Sequence, residues 1–195
     1  MTTDPSRSTT AARAPTGPPL QVKGGSIRSK LDFVRAEFGD DAAALLEKEL
    51  DERGIHSILE ATWYDYELFD WVLREIARLH YGGSLERLRE VGRFSARQAL
   101  TTTYDFFVAR ADLDGFLTHL SKLHGRFYSR GALSLVEREA TSLRLLLHGA
   151  GFYREPDLQV AAGFFEGAAA MLGCRDPHCS FVLGGDRVEL LMRWS

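Results

Sequence analysis

Few side chains in this chain have types and spacings suited to chemistry, and they fall into four groups. Cys174, His178 and Cys179 place two thiols and an imidazole within six residues. Cys-x4-Cys approaches a metal-ligand spacing, but zinc takes four ligands and no second Cys/His pair stands nearby. The first reading is therefore two cysteines packing a turn. A metal site completed by His148 or a partner chain, and a reversible disulfide, are the alternatives. His119 and His124 share one helical segment. Asp65, Glu67 and Asp70 cluster beside Trp63 and Tyr64, where helical spacing makes Glu67 and Asp70 a wet face and turns Phe69 and Trp71 inward. Arg87, Arg89, Arg93 and Arg97 could meet an anion, but Glu86 and Glu90 interleave with them, which predicts a salt-bridged solvent face. No nucleophile elbow, phosphate loop, dinucleotide fingerprint or His-Glu-x-x-His occurs, so no enzymatic activity is expected.

The elements that must position these groups belong to one domain, since a chain of 195 residues falls within the usual ~100–200. Residues 1–21 hold four prolines and little to bury, which predicts a disordered tail ahead of a domain over 22–195. A net charge of -3 gives no basic field for nucleic acid. No apolar run reaches the ~18 residues that a membrane span needs. Two cysteines and no secretory layout at the N-terminus lead us to expect a cytoplasmic protein.

Helical periodicity starts near Ser26, with Ile27, Leu31, Phe33, Val34 and Phe38 on one face and Gly39 as its stop. Asp40 is the expected cap of a second helix carrying Leu45, Leu46 and Leu50. A third runs from Tyr66 to His80. Ser84 would cap a long segment reaching Phe106 and Phe107, with Gly92 inside it wherever another element packs closely. A helix over Leu113–His124 follows. The period then changes to two: Leu133 and Leu135, then Leu143, Leu145 and Leu147, read as a hairpin turning at Ala140-Thr141. Pro156 opens a helix over 157–172. Phe181 and Leu183 then pair across Gly184-Gly185-Asp186 with Val188 and Leu190. The fold class is α+β: an N-terminal helical part followed by a β-β-α-β-β antiparallel sheet with its helix on one face. Gly163 and Gly167, four apart, share a face of that helix and admit either tight helix–sheet packing or a ligand.

Certain short blocks carry a resemblance. Val22-Lys23-Gly24, Glu90-Val91-Gly92-Arg93, Gly163-Phe164-Phe165-Glu166-Gly167, Cys179-Ser180-Phe181-Val182 and a terminal Trp194 occur in the order helices, then strand–strand–helix–strand–strand. The chain resembles the ligand-binding superfamily of haem-NO-binding (H-NOX) domains, 4-vinyl-reductase domains and Golgi transport-particle subunits, and within it the myxobacterial paralogous branch. The resemblance implies a cavity between helices and sheet, homodimers, and sensing or scaffolding with a signalling partner rather than catalysis. It points to a ligand pocket formed by His119, Leu120, Leu123, His124, Phe127, Tyr128, Gly163, Phe164 and Gly167. H-NOX domains hold haem by a helical His and a later Tyr-x-Ser-x-Arg motif that grips the propionates. His119 and His124 lie on the right kind of helix, but no Tyr-x-Ser-x-Arg exists, and the segment that should carry it reads Leu147-His148-Gly149-Ala150-Gly151-Phe152-Tyr153-Arg154. The expectation is thus a small hydrophobic ligand with no cofactor favoured. A haem-based gas sensor is the alternative, and a reductase-like enzyme a remote third.

Overall fold

The computed structural model describes residues 19–195, with the Leu123 side chain outside the described part. Residues 1–18 of the expected tail are also outside it. Leu20 and Gln21 belong to the fold: Leu20 is buried and its carbonyl accepts from the Tyr66 N–H at 3.0 Å.

A short strand β1 (Gln21–Lys23) leads into α1 (Gly24–Phe38) and α2 (Asp40–Glu52). Strand β2 (Trp63–Asp65) returns antiparallel to β1, and Lys23 lies over the Trp63 ring. Two three-residue strands carry too little alternation to be read from sequence, and this small sheet was not anticipated. Asp40 is the first residue of α2 rather than its cap. Leu45 and Phe38, both expected inside, are partly exposed. Phe38 stacks on His80 instead, 4.1 Å between ring centres.

Helix α3 (Tyr66–Tyr81) buries Phe69, Val72, Leu73 and Ile76 and ends at left-handed Gly82. The long helix expected after Ser84 is three pieces: a single turn at Glu86–Leu88, α4 (Arg89–Thr102) and α5 (Asp105–Arg110). Three consecutive β-branched residues account for the break. The Thr101 and Thr102 hydroxyls donate back to the carbonyls of Arg97 and Gln98, each at 2.8 Å, weakening the last turn. Helix α6 (Leu113–Phe127) is capped by Asp112, whose carboxylate accepts from the Gly115 N–H at 2.8 Å.

The C-terminal half is as expected. Strands β3 (Ala132–Arg138) and β4 (Ser142–His148), helix α7 (Glu155–Met171), and strands β5 (His178–Gly184) and β6 (Arg187–Arg193) form a four-stranded antiparallel sheet in the order β3-β4-β6-β5. Phe181 pairs with Leu190 and Leu183 with Val188. Leu143, Leu145, Leu147, Val188, Leu190 and Met192 turn to the buried face, where α7 lies. Period-two alternation over seven-residue strands fixes which face is buried, because a slip of one residue would expose the whole apolar set.

Helices α4 and α7 cross almost backbone to backbone. A Cβ placed on Gly92 would sit 2.1 Å from the Val160 carbonyl oxygen, and one on Gly163 would sit 2.1 Å from that of Arg89. Gly92 is therefore explained by the close approach foreseen for it. Gly163 and Gly167 meet α4 rather than the sheet or a ligand, correcting both readings made of them. Their i, i+4 spacing lays them on the face of α7 directed toward α4, away from the side that covers the strands.

Candidate functional site

Two of the places that bury charge in this fold involve α7, and they differ in kind. At the crossing of α4 and α7, Glu166 is 3% exposed and accepts from Arg89, from Arg93 Nη2 at 2.7 Å and from the Cys179 N–H at 3.0 Å. Arg89 also donates to the Cys179 carbonyl at 2.8 Å and, through Nε, to Gln159 at 2.9 Å. Arg89 and Arg93 had been placed on a solvent face. The interleaved glutamates Glu86 and Glu90 hid a buried partner on another helix, and Arg89 turns inward to reach it. Every charge here is met.

The second place is a cavity of about 460 Å³ where the helices meet the sheet. Its volume lies within the ~300–1,000 Å³ usual for small-molecule sites. Phe69, Leu120, Phe127, Leu133, Leu147, Leu158, Phe164, Phe165 and Leu190 make most of its wall apolar. The polar groups on the wall are Ser26, Ser29 and Lys30 from α1, Ser95, Gln98 and Thr102 from α4, Thr103 and Tyr104 just after it, His124 from α6, and Tyr128, Tyr153 and Asp157.

Two of those groups are buried charges. Lys30 is 5% exposed because it occupies the apolar face of α1, between buried Ile27, Leu31 and Val34. Its ammonium donates to Ser29 Oγ at 3.1 Å and Ser95 Oγ at 3.0 Å. Burial brings its pKa down to about 8, opposed by the negative charge of Asp157. Asp157, in the first turn of α7, accepts from Tyr128 Oη at 2.9 Å and Tyr66 Oη at 3.3 Å. Burial raises it to about 6, with the Tyr128 hydrogen bond and Lys30 acting the other way. Burial, followed by the charge of Asp157, lifts Tyr128, Tyr66 and Tyr153 well above the ordinary phenol range. His124 Nε2 lies 3.1 Å from Tyr153 Oη, and burial lowers the imidazole pKa, favouring the neutral ring.

Of the expected pocket residues, Leu120, His124, Phe127, Tyr128 and Phe164 line this cavity, whereas His119, Gly163 and Gly167 do not. His119 packs between the Tyr104 and Phe107 rings. Leu123 lies on α6, with its side chain outside the described part. Lys30, Ser29, Ser95 and Asp157 were missed. A lysine falling between Ile27, Leu31 and Val34 on an apolar stripe was the one available signal. Asp70, assigned to a wet face, is 3% exposed and accepts from Arg74 Nε at 2.8 Å and Arg154 Nη1 at 3.0 Å. Arg154, arriving from just before α7, is what covers it.

The cysteine turn does not assemble a site. Cys179 is buried and Cys174 half-buried, both thiols are free, and burial pushes the Cys179 thiol up to about 12, far from a reactive thiolate. Among the described residues, no three His, Cys, Asp or Glu side chains stand close enough to hold a metal ion, so Cys174, His178 and Cys179 do not form such a group.

Comparison with solved structures places this arrangement. An H-NOX protein from K. algicida in the unliganded Fe(II) form aligns with TM-score 0.62 at 12% identity, over 89% of this chain and 96% of its own. A Tt H-NOX variant aligns with TM-score 0.67 at 15% identity, over 89% and 95%. The fold is that of the H-NOX proteins. An S. oneidensis H-NOX protein in the Fe(II)NO state agrees, with TM-score 0.62 at 15% identity over 89% of this chain and 99% of its own. No family model and no curated protein matches the sequence. Identities this low carry the H-NOX-like architecture and leave the occupant of the cavity to be argued from its residues.

Proposed function

We propose that the chain is a non-enzymatic sensor module that binds one small molecule in the cavity between α1, α4, α6, α7 and the sheet. The observation that carries this is a large, mainly apolar cavity at the heart of an H-NOX-like fold, with a few polar groups converging on it. A ligand filling it would touch α1, α4, α6, α7 and the sheet at once. Its arrival could thus shift their packing and be read by a second copy of the chain or a signalling partner. A homodimer and a cytoplasmic location complete the proposal.

Haem is the first occupant to test, ahead of the cofactor-free reading that the sequence alone favoured, because the structural neighbours carry Fe(II) and NO in their names. The cavity supplies apolar walls and, in His124, an imidazole favoured in the neutral form that a metal ligand needs. When bound, haem would supply an iron able to take a diatomic gas. His124 would hold that iron after giving up its hydrogen bond to Tyr153. The hairpin segment offers no propionate grip: Arg154, the cation there, is tied to Glu67 and Asp70. The cavity's own buried cation, Lys30, stands in its place.

Hemin titration followed by visible absorbance tests the haem reading. We expect a saturable Soret band at one haem per chain, weakened or displaced in His124→Ala. An unsaturable band unchanged in His124→Ala would remove haem and leave the cavity to another small molecule.

A further inference from the structure

The apolar wall of the cavity is interrupted by a positive charge for which no described residue makes an ion pair. Lys30 Nζ is held by two neutral hydroxyls, Ser29 and Ser95, and among the described residues it makes no ion pair. The Ser95 hydroxyl is committed in turn to the Val91 carbonyl at 3.0 Å, and Ser29 to that of Ser26 at 3.3 Å. A buried ammonium in such company is costly, since charge taken out of water is offset only by an opposite charge or a full set of strong acceptors. The opposite charge on the same wall, Asp157, is already met by two phenol hydroxyls. The two charges are therefore unequally met. Asp157 is supplied with donors, whereas Lys30 lacks an anionic acceptor and lines open space.

We infer that the molecule bound in the cavity carries a carboxylate, received by Lys30 with Ser29 and Ser95, on an apolar body packed among Leu120, Phe164 and Leu190. This rests on the ligand-binding reading above and specifies the chemical class of the ligand. The carboxylate would accept the remaining Lys30 proton, forming a charge-assisted hydrogen bond in a water-poor site. Lys30 remains mostly protonated at pH 7, so the ion pair forms without a proton change. Two sources share this chemistry: haem, an apolar ring system bearing carboxylates, and a simple aliphatic or aromatic acid. A ligand bearing an amine would instead seek Asp157.

Calorimetric titration of the full chain with decanoate, 1-decanol and decylamine, beside the hemin titration, tests the inference. Three probes with one body and different heads isolate the head's contribution. We expect decanoate to bind about tenfold more tightly than decanol. In Lys30→Met the decanoate advantage should vanish while decanol binding persists, which also shows that the variant's cavity is intact. Ser95→Ala, a smaller change, should reduce the advantage in part. If hemin binds and Lys30→Met weakens it while decanoate does not bind, the carboxylates recognised are those of haem. If decanoate binds with the stated preference and hemin does not, the source is a simple acid. Equal affinity for decanoate and decanol, or a preference for decylamine, overturns the carboxylate inference while leaving the ligand-binding reading standing. Failure of every probe, hemin included, overturns both.

Discussion

The α4–α7 crossing and the cavity beside it lie on the same helices, yet they handle buried charge in opposite ways. At the crossing, Glu166 has two guanidinium partners and a backbone N–H, and three glycines bring the helices too close to leave space. In the cavity, Lys30 and Asp157 are as deeply buried but face hydroxyls and open volume. The contrast separates scaffold from site. A fully paired buried charge between touching backbones holds elements in register. A buried charge facing a void has a place for something else to complete it.

Breaking the crossing should have the largest effect. Glu166→Gln keeps the shape but strips Arg89 of its anion, and breaking a buried pair in this way costs about 3 kcal/mol, measurable by urea unfolding. Gly163→Ala drives a methyl group against the Arg89 carbonyl and should cost about 2 kcal/mol in the same assay. The cavity should respond otherwise. Lys30→Met replaces a buried cation that makes no ion pair among the described residues with an apolar group of similar length, and stability should change by less than about 1 kcal/mol. If Lys30→Met proved as damaging as Glu166→Gln, the distinction between the two places would collapse.

The smallest expected effect is a pH signature. The Asp157 pKa is raised by burial from 3.8 in the unfolded chain to about 6 in the fold. The folded state then binds the proton more tightly, so this group's contribution is fully present below pH 3.8 and is lost as pH rises through about 6. Relative to Asp157→Asn, the wild-type chain should therefore lose melting temperature progressively between pH 4 and 6. Parallel melting curves for wild type and Asp157→Asn across that range would contradict the assigned burial.

The sequence revealed the scaffold more readily than the site, and the residues explain why. Strand alternation through Leu143, Leu145 and Leu147 and through Val188, Leu190 and Met192 is a local pattern, and it placed the sheet correctly. Gly92 on one helix and Gly163 and Gly167 on another were each noticed. Read together, two small-residue faces would have suggested that they meet each other rather than a ligand. The polar end of the cavity draws Lys30, Ser95 and Asp157 from three helices far apart along the chain, and no spacing links them. Arg89 and Asp70 were misplaced because a charged residue interleaved with opposite charges looks the same on a solvent face as on a face later covered by another helix. The missing Tyr-x-Ser-x-Arg was legible and argued against haem. His124, expected in the pocket from the resemblance, does lie on the cavity wall, and with the H-NOX-like fold it makes haem the first occupant to test.

The central claim is that the cavity holds a small molecule, and native mass spectrometry of protein purified from its own host tests it most directly. Wild type should retain one small molecule per chain, absent from Ala161→Trp, whose indole would fill the cavity wall where Ala161 now lies. A bare chain mass in wild type, or the same adduct in both proteins, would contradict the account.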